Sequence, residues 1–201
     1  TNVLEESRGY YAYTRLHAAH ALADPRDRLP LRDSRWLFRL ANRFHPRRLV
    51  IVGTGGGLTP LSLTAYVSSG LHAIALEECP TTADTVRTLL HNRTMSPIEV
   101  RCGTYETELS NALAEYGRPD CIVLDVTPDR LASLFHLCSD YLSDETLLLI
   151  RGIHATPLAR RTWQALCCAH PSATVCVDAY TWGIVFFRSG LPRQVFRHIV
   201  V

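Results

Sequence analysis

The chain has 201 residues, of which 47% are hydrophobic and 20% charged, as expected of a single globular domain. Its net charge of +2 is unevenly distributed, since residues 1–48 hold ten arginines against five acids and the remainder holds eleven against fourteen. The chain has no lysine, which excludes a Walker phosphate loop, a pyridoxal Schiff base and any lysine general base.

Several further classes are disfavoured. The longest apolar run, around Leu147–Ile150, is far too short to cross a membrane, and the first residues, TNVLEESRGYY, lack the pattern of a signal peptide. We therefore expect a cytoplasmic protein. The seven cysteines form no CxxC pair and no zinc-ligand spacing, which favours reduced, buried thiols. The arginines of residues 1–48 are spread out as on a solvated helix face, so they do not by themselves predict a nucleic-acid partner.

Two helices are predicted at the start of the chain. Residues 1–22 form the first, which ends at the proline-containing turn DPRDRLP. The segment DSRWLFRLANRFHP has apolar residues at helical spacing. We expect Asp33 or Ser34 to cap its start and Pro46 to end it.

Apolar, β-branched runs then alternate with helical patterns. The runs are Leu49–Val52, Ala73–Leu76, Ile98–Arg101, Cys121–Asp125 and Leu147–Ile150, and the helical segments lie near 58–69, 80–93, 106–116, 129–142 and 157–169. Such alternation is typical of a parallel sheet that is covered on both faces. Thr174–Asp178 and Ile184–Arg188 lie too close for a crossover helix and are predicted to be antiparallel. The run Val195–Val201 is either a further edge strand or a tail.

The predicted fold is therefore α/β: a Rossmann-like, mostly parallel seven-stranded sheet with an antiparallel last strand and helices on both faces. Residues 49–201 are expected to form this domain, and residues 1–48 to form a helical lid or cap within it. Core-helix packing is the alternative for the aromatic residues of that segment. These residues are Tyr10, Tyr11, Tyr13 and Trp36.

A glycine-rich turn, VGTGGG, follows the first predicted strand. Glycine permits positive φ and lets a ligand approach the backbone, and ligands of open α/β sheets bind at the carboxyl ends of the strands. Gly53, Gly55 and Gly57 give the spacing GxGxG, whereas a dinucleotide fingerprint would need glycine at Leu58. The spacing therefore disfavours a dinucleotide.

An acid ends the second predicted strand, in the sequence LEECP. A carboxylate there can accept hydrogen bonds from both ribose hydroxyls of an adenosine. Glu77 is the predicted residue and Glu78 the alternative. A solvated acid that binds no ligand also fits this position.

Taken in order, VGTGGG, LEECP, CGTYET, VLD and the closing hairpin resemble a class I S-adenosylmethionine (SAM)-dependent methyltransferase, of the small bacterial kind related to the catechol O-methyltransferase group. The resemblance spans roughly residues 34–190. It implies that the glycine turn contacts the methionine part of SAM, that the strand-end acid holds the ribose, and that Gly103–Tyr105 borders the adenine. The implied cofactor-binding residues are Gly53, Thr54, Gly55, Gly57, Glu77, Thr104 and Tyr105.

Three positions depart from this family's pattern. The acid that usually precedes the first glycine is replaced by Ile51, and the aspartate of the adenine loop by Thr104. Arg151 and Gly152 stand where metal-dependent O-methyltransferases carry acids at the end of the fifth strand. A guanidinium repels a divalent cation, so we predict no metal ion. Asp125 is expected to pair with Arg151 instead.

Methyl transfer without a metal relies on positioning and desolvation, with help from a general base. His154, in the loop RGIHATP, is the predicted base, because histidine titrates near neutral pH; a loop histidine without a catalytic part is the alternative. The resemblance places Asp125 beside the substrate as a second candidate catalytic residue. Tyr180 and Trp182 either line a substrate pocket or pack at the hairpin turn.

The predicted function is SAM-dependent methylation of an unknown small acceptor that carries oxygen or nitrogen. The alternative is a relic of the fold with a binding or interaction role, because an unpaired charged amino group costs several kcal/mol. A nucleotide-binding Rossmann protein and an RNA methyltransferase are further interpretations with less support. The expected partner is a small molecule, with no membrane, and a homodimer is left open.

Overall fold

The computed structural model describes residues 2–25, 27–65, 70–91 and 98–197, and the side chains of these residues except those of 2–10 and 167–169. The helices are α1 (Asn2–Leu22), α2 (Leu31–Phe44), α3 (Leu58–Thr64), α4 (Pro80–Leu90), α5 (Tyr105–Tyr116), α6 (Pro128–Cys138) and α7 (Pro157–Ala169), with a short 3-10 helix at Ser139–Tyr141. The strands are β1 (Arg48–Val52), β2 (His72–Glu77), β3 (Ile98–Cys102), β4 (Cys121–Leu124), β5 (Leu147–Arg151), β6 (Val175–Ala179), β7 (Trp182–Phe186) and β8 (Gln194–Arg197).

The strands form one sheet in the order β3-β2-β1-β4-β5-β7-β6-β8. Strand β7 runs antiparallel to β5 and β6, while the other neighbouring pairs are parallel. The predicted mostly parallel sheet with an antiparallel strand in the closing hairpin is confirmed. Residues Gln194–Arg197 add an eighth strand beside β6 at the edge of the sheet. Of the two alternatives for the run that starts at Val195, the described residues therefore form the edge strand and not a tail. Residues 198–201 lie outside the described part.

Side chains of the central strands alternate between two hydrophobic clusters. In β1, Leu49 and Ile51 pack with residues of α1 to α4, whereas Val50 and Val52 pack with residues of α5 to α7. The prediction of helices on both faces is confirmed. No helix in the described ranges is long and apolar enough to span a lipid bilayer.

Helix α2 starts earlier than predicted. The Ser34 amide donates to the Pro30 carbonyl at 3.0 Å, so the first helical turn already begins at Leu31. Neither Asp33 nor Ser34 is therefore the N-cap, and both are buried within the helix. The cap prediction was wrong because Pro30, with φ fixed at −55°, initiates the helix without a side-chain cap. The helix ends before Pro46, as predicted.

The first two helices are part of the core. Leu16 and Ala19 of α1 are fully buried in the cluster that contains β1. Tyr13 packs edge-on against Phe38 of α2, with ring centroids 5.5 Å apart, which favours core-helix packing for this tyrosine. Tyr11 is exposed, and the side chain of Tyr10 lies outside the described set.

Candidate active site

The glycine turn between β1 and α3 adopts a backbone that other residues rarely accept. Its four glycines, between residues 53 and 57, have φ values from 54° to 86°. The Gly53 amide donates to the Leu76 carbonyl at 3.2 Å, which ties the turn to the end of β2. A side chain at Gly53 would overlap the Asp125 carbonyl. The turn is therefore fixed between the ends of β2 and β4.

The segment before α2 passes over this turn. The Leu29 amide donates to the Gly55 carbonyl at 3.0 Å, and a Cβ atom at Gly56 would lie 3.2 Å from the Arg28 Cα. Part of the need for glycine here thus comes from the protein's own backbone.

The turn and the predicted ribose acid meet directly. The Thr54 hydroxyl donates to Glu77 Oε2 at 2.6 Å, and the Tyr105 phenol donates to Glu77 Oε1 at 3.3 Å. Three of the predicted cofactor residues thus lie at one place on the carboxyl edge of the sheet. Their role in binding a cofactor stays a prediction.

A second group of contacts surrounds Tyr105. Arg130 of α6 donates to Glu78 and to Glu106, each at 2.6 Å, and its guanidinium lies 5.0 Å from the centre of the Tyr105 ring. These bonds from Arg130 hold the pKa of both carboxyl groups below the usual value. Thr104, the residue before α5, donates its hydroxyl to Thr107, and its predicted role beside an adenine stays untested.

Asp125 and Arg151 form the expected ion pair. One guanidinium nitrogen, Nη1, lies 3.1 Å and 3.0 Å from the two carboxylate oxygens. Burial raises the pKa of Asp125, while the adjacent Arg151 opposes that rise. The pair joins the ends of β4 and β5 on the face that carries Glu77.

Thr59 is a residue of the site that sequence reasoning missed. Its hydroxyl is buried and has no hydrogen-bond partner among the described residues. A Cβ atom at Gly55 would lie only 2.7 Å from it, so the hydroxyl lies against the glycine turn. A buried unpaired hydroxyl costs free energy that a bound ligand can recover. The sequence signal was a polar residue two positions after the last glycine.

His154 contacts residues of the closing hairpin rather than the glycine turn. Its Nε2 lies 2.8 Å from Asp178 Oδ2, and its ring stacks on Tyr180 with centroids 5.4 Å apart. Asp178 pairs in register with Gly183, which packs on Trp163 of α7, so this pair lies toward the face opposite Asp125. The prediction of a general base stays untested, and these contacts do not connect it to the glycine turn.

A pocket of about 180 Å³ lies between α2 and the turn that joins β6 and β7. Trp36 and Trp182 stack in its wall with centroids 5.9 Å apart, and Tyr180 and Asp33 also line it. Trp182 is the register neighbour of Arg151, and the charge of Asp33 contributes to the raised pKa of Asp125. The pocket therefore lies close to the Asp125–Arg151 pair.

Within the described ranges, no group of three or more His, Cys, Asp or Glu side chains is arranged to hold a metal ion.

Solved structures share this architecture. An O-methyltransferase from Bacillus cereus, in complex with S-adenosylhomocysteine (SAH), is 19% identical, with 90% of each chain covered and a TM-score of 0.67. SAH-bound methyltransferase PaMTH1 from Podospora anserina is 14% identical, with 89% of this chain and 88% of that chain covered and a TM-score of 0.72. The O-methyltransferase TomG from Streptomyces achromogenes, in complex with SAM, is 14% identical, with 89% and 90% covered and a TM-score of 0.68.

No protein-family model matches the sequence, and no curated protein resembles it closely enough to count as a relative. The structural likeness nevertheless extends over nearly the whole chain. The protein has the fold of the class I SAM-dependent O-methyltransferases, as the motif order predicted.

Proposed function

We propose that this protein transfers a methyl group from SAM to a small acceptor. The observation that carries the proposal is the 2.6 Å hydrogen bond between Thr54 and Glu77, because it joins the glycine turn to the strand-end acid in one site. The structural neighbours that contain SAM or SAH have this same fold.

The residues present fit such a cofactor. Glu77 offers a carboxylate to the ribose hydroxyls, since its Oε1 is held only by the long bond of 3.3 Å from the Tyr105 phenol. The Thr59 hydroxyl, which lies against Gly55 and has no partner among the described residues, would complete its hydrogen bonding with a polar end of the methionine part. When bound, SAM supplies an electrophilic methyl group, and the protein's part is to orient that group toward the acceptor.

The aromatic pocket beside the ion pair is the proposed acceptor site. Trp36, Tyr180 and Trp182 supply apolar, aromatic walls that exclude water, and Asp33 supplies a charged one. Asp125, held by Arg151, would lie between the cofactor and this pocket as a fixed carboxylate. His154 is retained as the proposed general base: Asp178 holds Nε2 and leaves Nδ1 to accept a proton, and the ring meets the pocket through Tyr180, which stacks on it and lines the pocket.

Calorimetric titration with SAM tests the proposal. We expect saturable binding that Glu77→Gln weakens by about tenfold or more, because hydrogen bonds to a charged acceptor are lost. Glu145→Gln, in the turn before β5 at the amino ends of the strands, is the matched control and should bind like the unchanged protein. No binding at millimolar SAM would instead support the fold relic, which the replacements at Ile51, Thr104 and Arg151 suggest.

Independence from metal is part of the proposal. Arg151 already neutralises Asp125, so a divalent cation would have to displace a guanidinium. We expect titration with Mg²⁺ to give no saturable heat and chelation by EDTA to leave SAM affinity unchanged. Saturable Mg²⁺ binding that disappears in Asp125→Asn would contradict this part.

A further inference from the structure

Both carboxylate oxygens of Glu77 already accept a hydrogen bond from the protein. The bond from Thr54 is short, at 2.6 Å, whereas the bond from the Tyr105 phenol is long, at 3.3 Å. A long bond near the limit of hydrogen bonding is weak. The phenol is therefore the donor that a ligand can replace most easily.

We propose that the Tyr105 phenol competes with the ribose of adenosyl ligands for Glu77 Oε1 and so limits the affinity for these ligands. This inference rests on the proposed function. In the free protein the phenol holds Oε1, and a ribose hydroxyl takes its place when the cofactor binds. The ligand then exchanges one hydrogen bond for another. The free energy of binding that the ligand gains from Glu77 is therefore smaller than it would gain from a carboxylate with no partner.

Arg130 is the positioning residue that holds Tyr105 in this competing position. Its guanidinium lies over the ring, 5.0 Å from the centre, and is itself fixed by Glu78 and Glu106. Glu78 also accepts the Tyr105 amide at 3.0 Å. Both the backbone and the ring of Tyr105 are thus held by one network that spans the ends of β2, α5 and α6.

The competing group stays a hydrogen-bond donor over the physiological range. Burial first, and then the negative charge of Glu77, raise the pKa of Tyr105, so the phenol keeps its proton. The competition is therefore independent of pH around neutrality.

Tyr105→Phe removes the hydroxyl and keeps the ring. We expect calorimetry to show tighter binding of SAM and of SAH by the same factor, about three- to tenfold, because both carry the same ribose. The matched control is Tyr116→Phe, at the far end of α5, which should leave both affinities unchanged.

Arg130→Gln tests the positioning role. We expect it to tighten the binding of SAM and SAH by a smaller factor than Tyr105→Phe does. Combined with Tyr105→Phe it should give no further increase in affinity, because both changes release the same carboxylate oxygen. A merely structural role of Arg130 would give additive effects.

Three outcomes would overturn the inference. Weaker binding by Tyr105→Phe would make the phenol a ligand of the cofactor, and unchanged binding would show that it does not compete; both leave the proposed function standing. If neither the unchanged protein nor any variant binds SAM or SAH, the proposed function and the competition fail together.

Discussion

At the scale of single residues, we expect the buried Thr59 hydroxyl to contribute to SAM binding but not to the stability of the fold. Because it has no partner among the described residues, Thr59→Val removes an unpaired polar group without removing a hydrogen bond. We expect the free energy of unfolding in urea to stay the same or rise by up to about 1 kcal/mol. SAM affinity, measured by calorimetry, should fall about three- to tenfold.

Thr64→Val is the control for this prediction. Thr64 is equally buried, at the end of the same helix, but its hydroxyl donates to the Pro60 carbonyl at 2.8 Å. That variant should lose about 1 kcal/mol of stability and keep its SAM affinity. The prediction for Thr59 fails if the two variants behave alike.

Cys79, the residue before α4, should be a reactive thiol. Hydrogen bonds, the largest from the Thr81 hydroxyl, lower its pKa to about 7. Because the thiolate is the nucleophile, its alkylation by iodoacetamide should rise with pH, reach half its maximum near pH 7 and level off above. Peptide mapping by mass spectrometry measures the rate at this residue.

Two internal comparisons accompany that measurement. Burial raises the pKa of Cys121 and of Cys138 to about 12, so both should stay unmodified in the folded protein. Thr81→Val removes the largest stabilising bond and should move the midpoint for Cys79 to higher pH. An unmoved midpoint would contradict the assigned cause.

The sequence predicted that Glu77 and the glycine turn lie together, because strand ends and glycine spacing are local signals, and Thr54 of the turn does meet Glu77. It missed Thr59 and Arg130 because their importance depends on contacts across the fold. Arg130 meets Glu78 across 52 residues of chain, and no spacing rule predicts such a pair. Asp125 and Arg151 were paired correctly because both directly follow or end predicted neighbouring strands.

At the scale of elements, the contact between β7 and α7 is unusually close. The Trp163 indole lies against Gly183, so an added Cβ atom would overlap the ring. Overpacking of this kind costs about 1–3 kcal/mol, and we expect Gly183→Ala to lose that amount in chemical unfolding.

A double-mutant cycle identifies the cause of that loss. Trp163→Leu alone leaves a cavity and should also destabilise the protein. In the double variant, the methyl group introduced by Gly183→Ala fills part of the space that the indole vacated, so the combined loss should be smaller than the sum of the two. Strictly additive losses would show that the clash is not with Trp163.

Central elements were predictable, whereas the start of α2 was not. The run Leu147–Ile150 is apolar throughout and became the buried strand β5, one residue longer than predicted. The start of α2 was misplaced because a proline can begin a helix in which the next polar residues resemble a cap. Whether a strand starts near Val195 could not be decided from sequence, because Gln194–Arg197 pair with β6, which only the tertiary fold brings alongside.

At the scale of the whole molecule, ligand binding should stabilise the entire sheet, because the proposed site joins β1, β2 and β4. SAM at a hundred times its dissociation constant adds about 2.7 kcal/mol, which raises the melting temperature by about 5 to 10 °C. Differential scanning fluorimetry measures this shift. SAH should act alike, and Glu77→Gln at the same SAM concentration should shift less.

The overall architecture could be predicted because alternating apolar runs and helices admit few topologies. Two turn residues, Tyr180 and Thr181, leave no room for a crossover, which forces β7 to run antiparallel to β6. The sequence could not show which side chains meet above the sheet, since that depends on how the segment between α1 and α2 lies across the glycine turn.

The hydrogen bond from the Leu29 amide to the Gly55 carbonyl has a practical consequence for anyone who trims this protein. A fragment that begins at the first strand would lack the backbone that holds the turn. It would also expose the apolar surface of the sheet and of α3 against which α1 and α2 pack. Deletions intended to simplify the protein should therefore spare everything from the first helix onward.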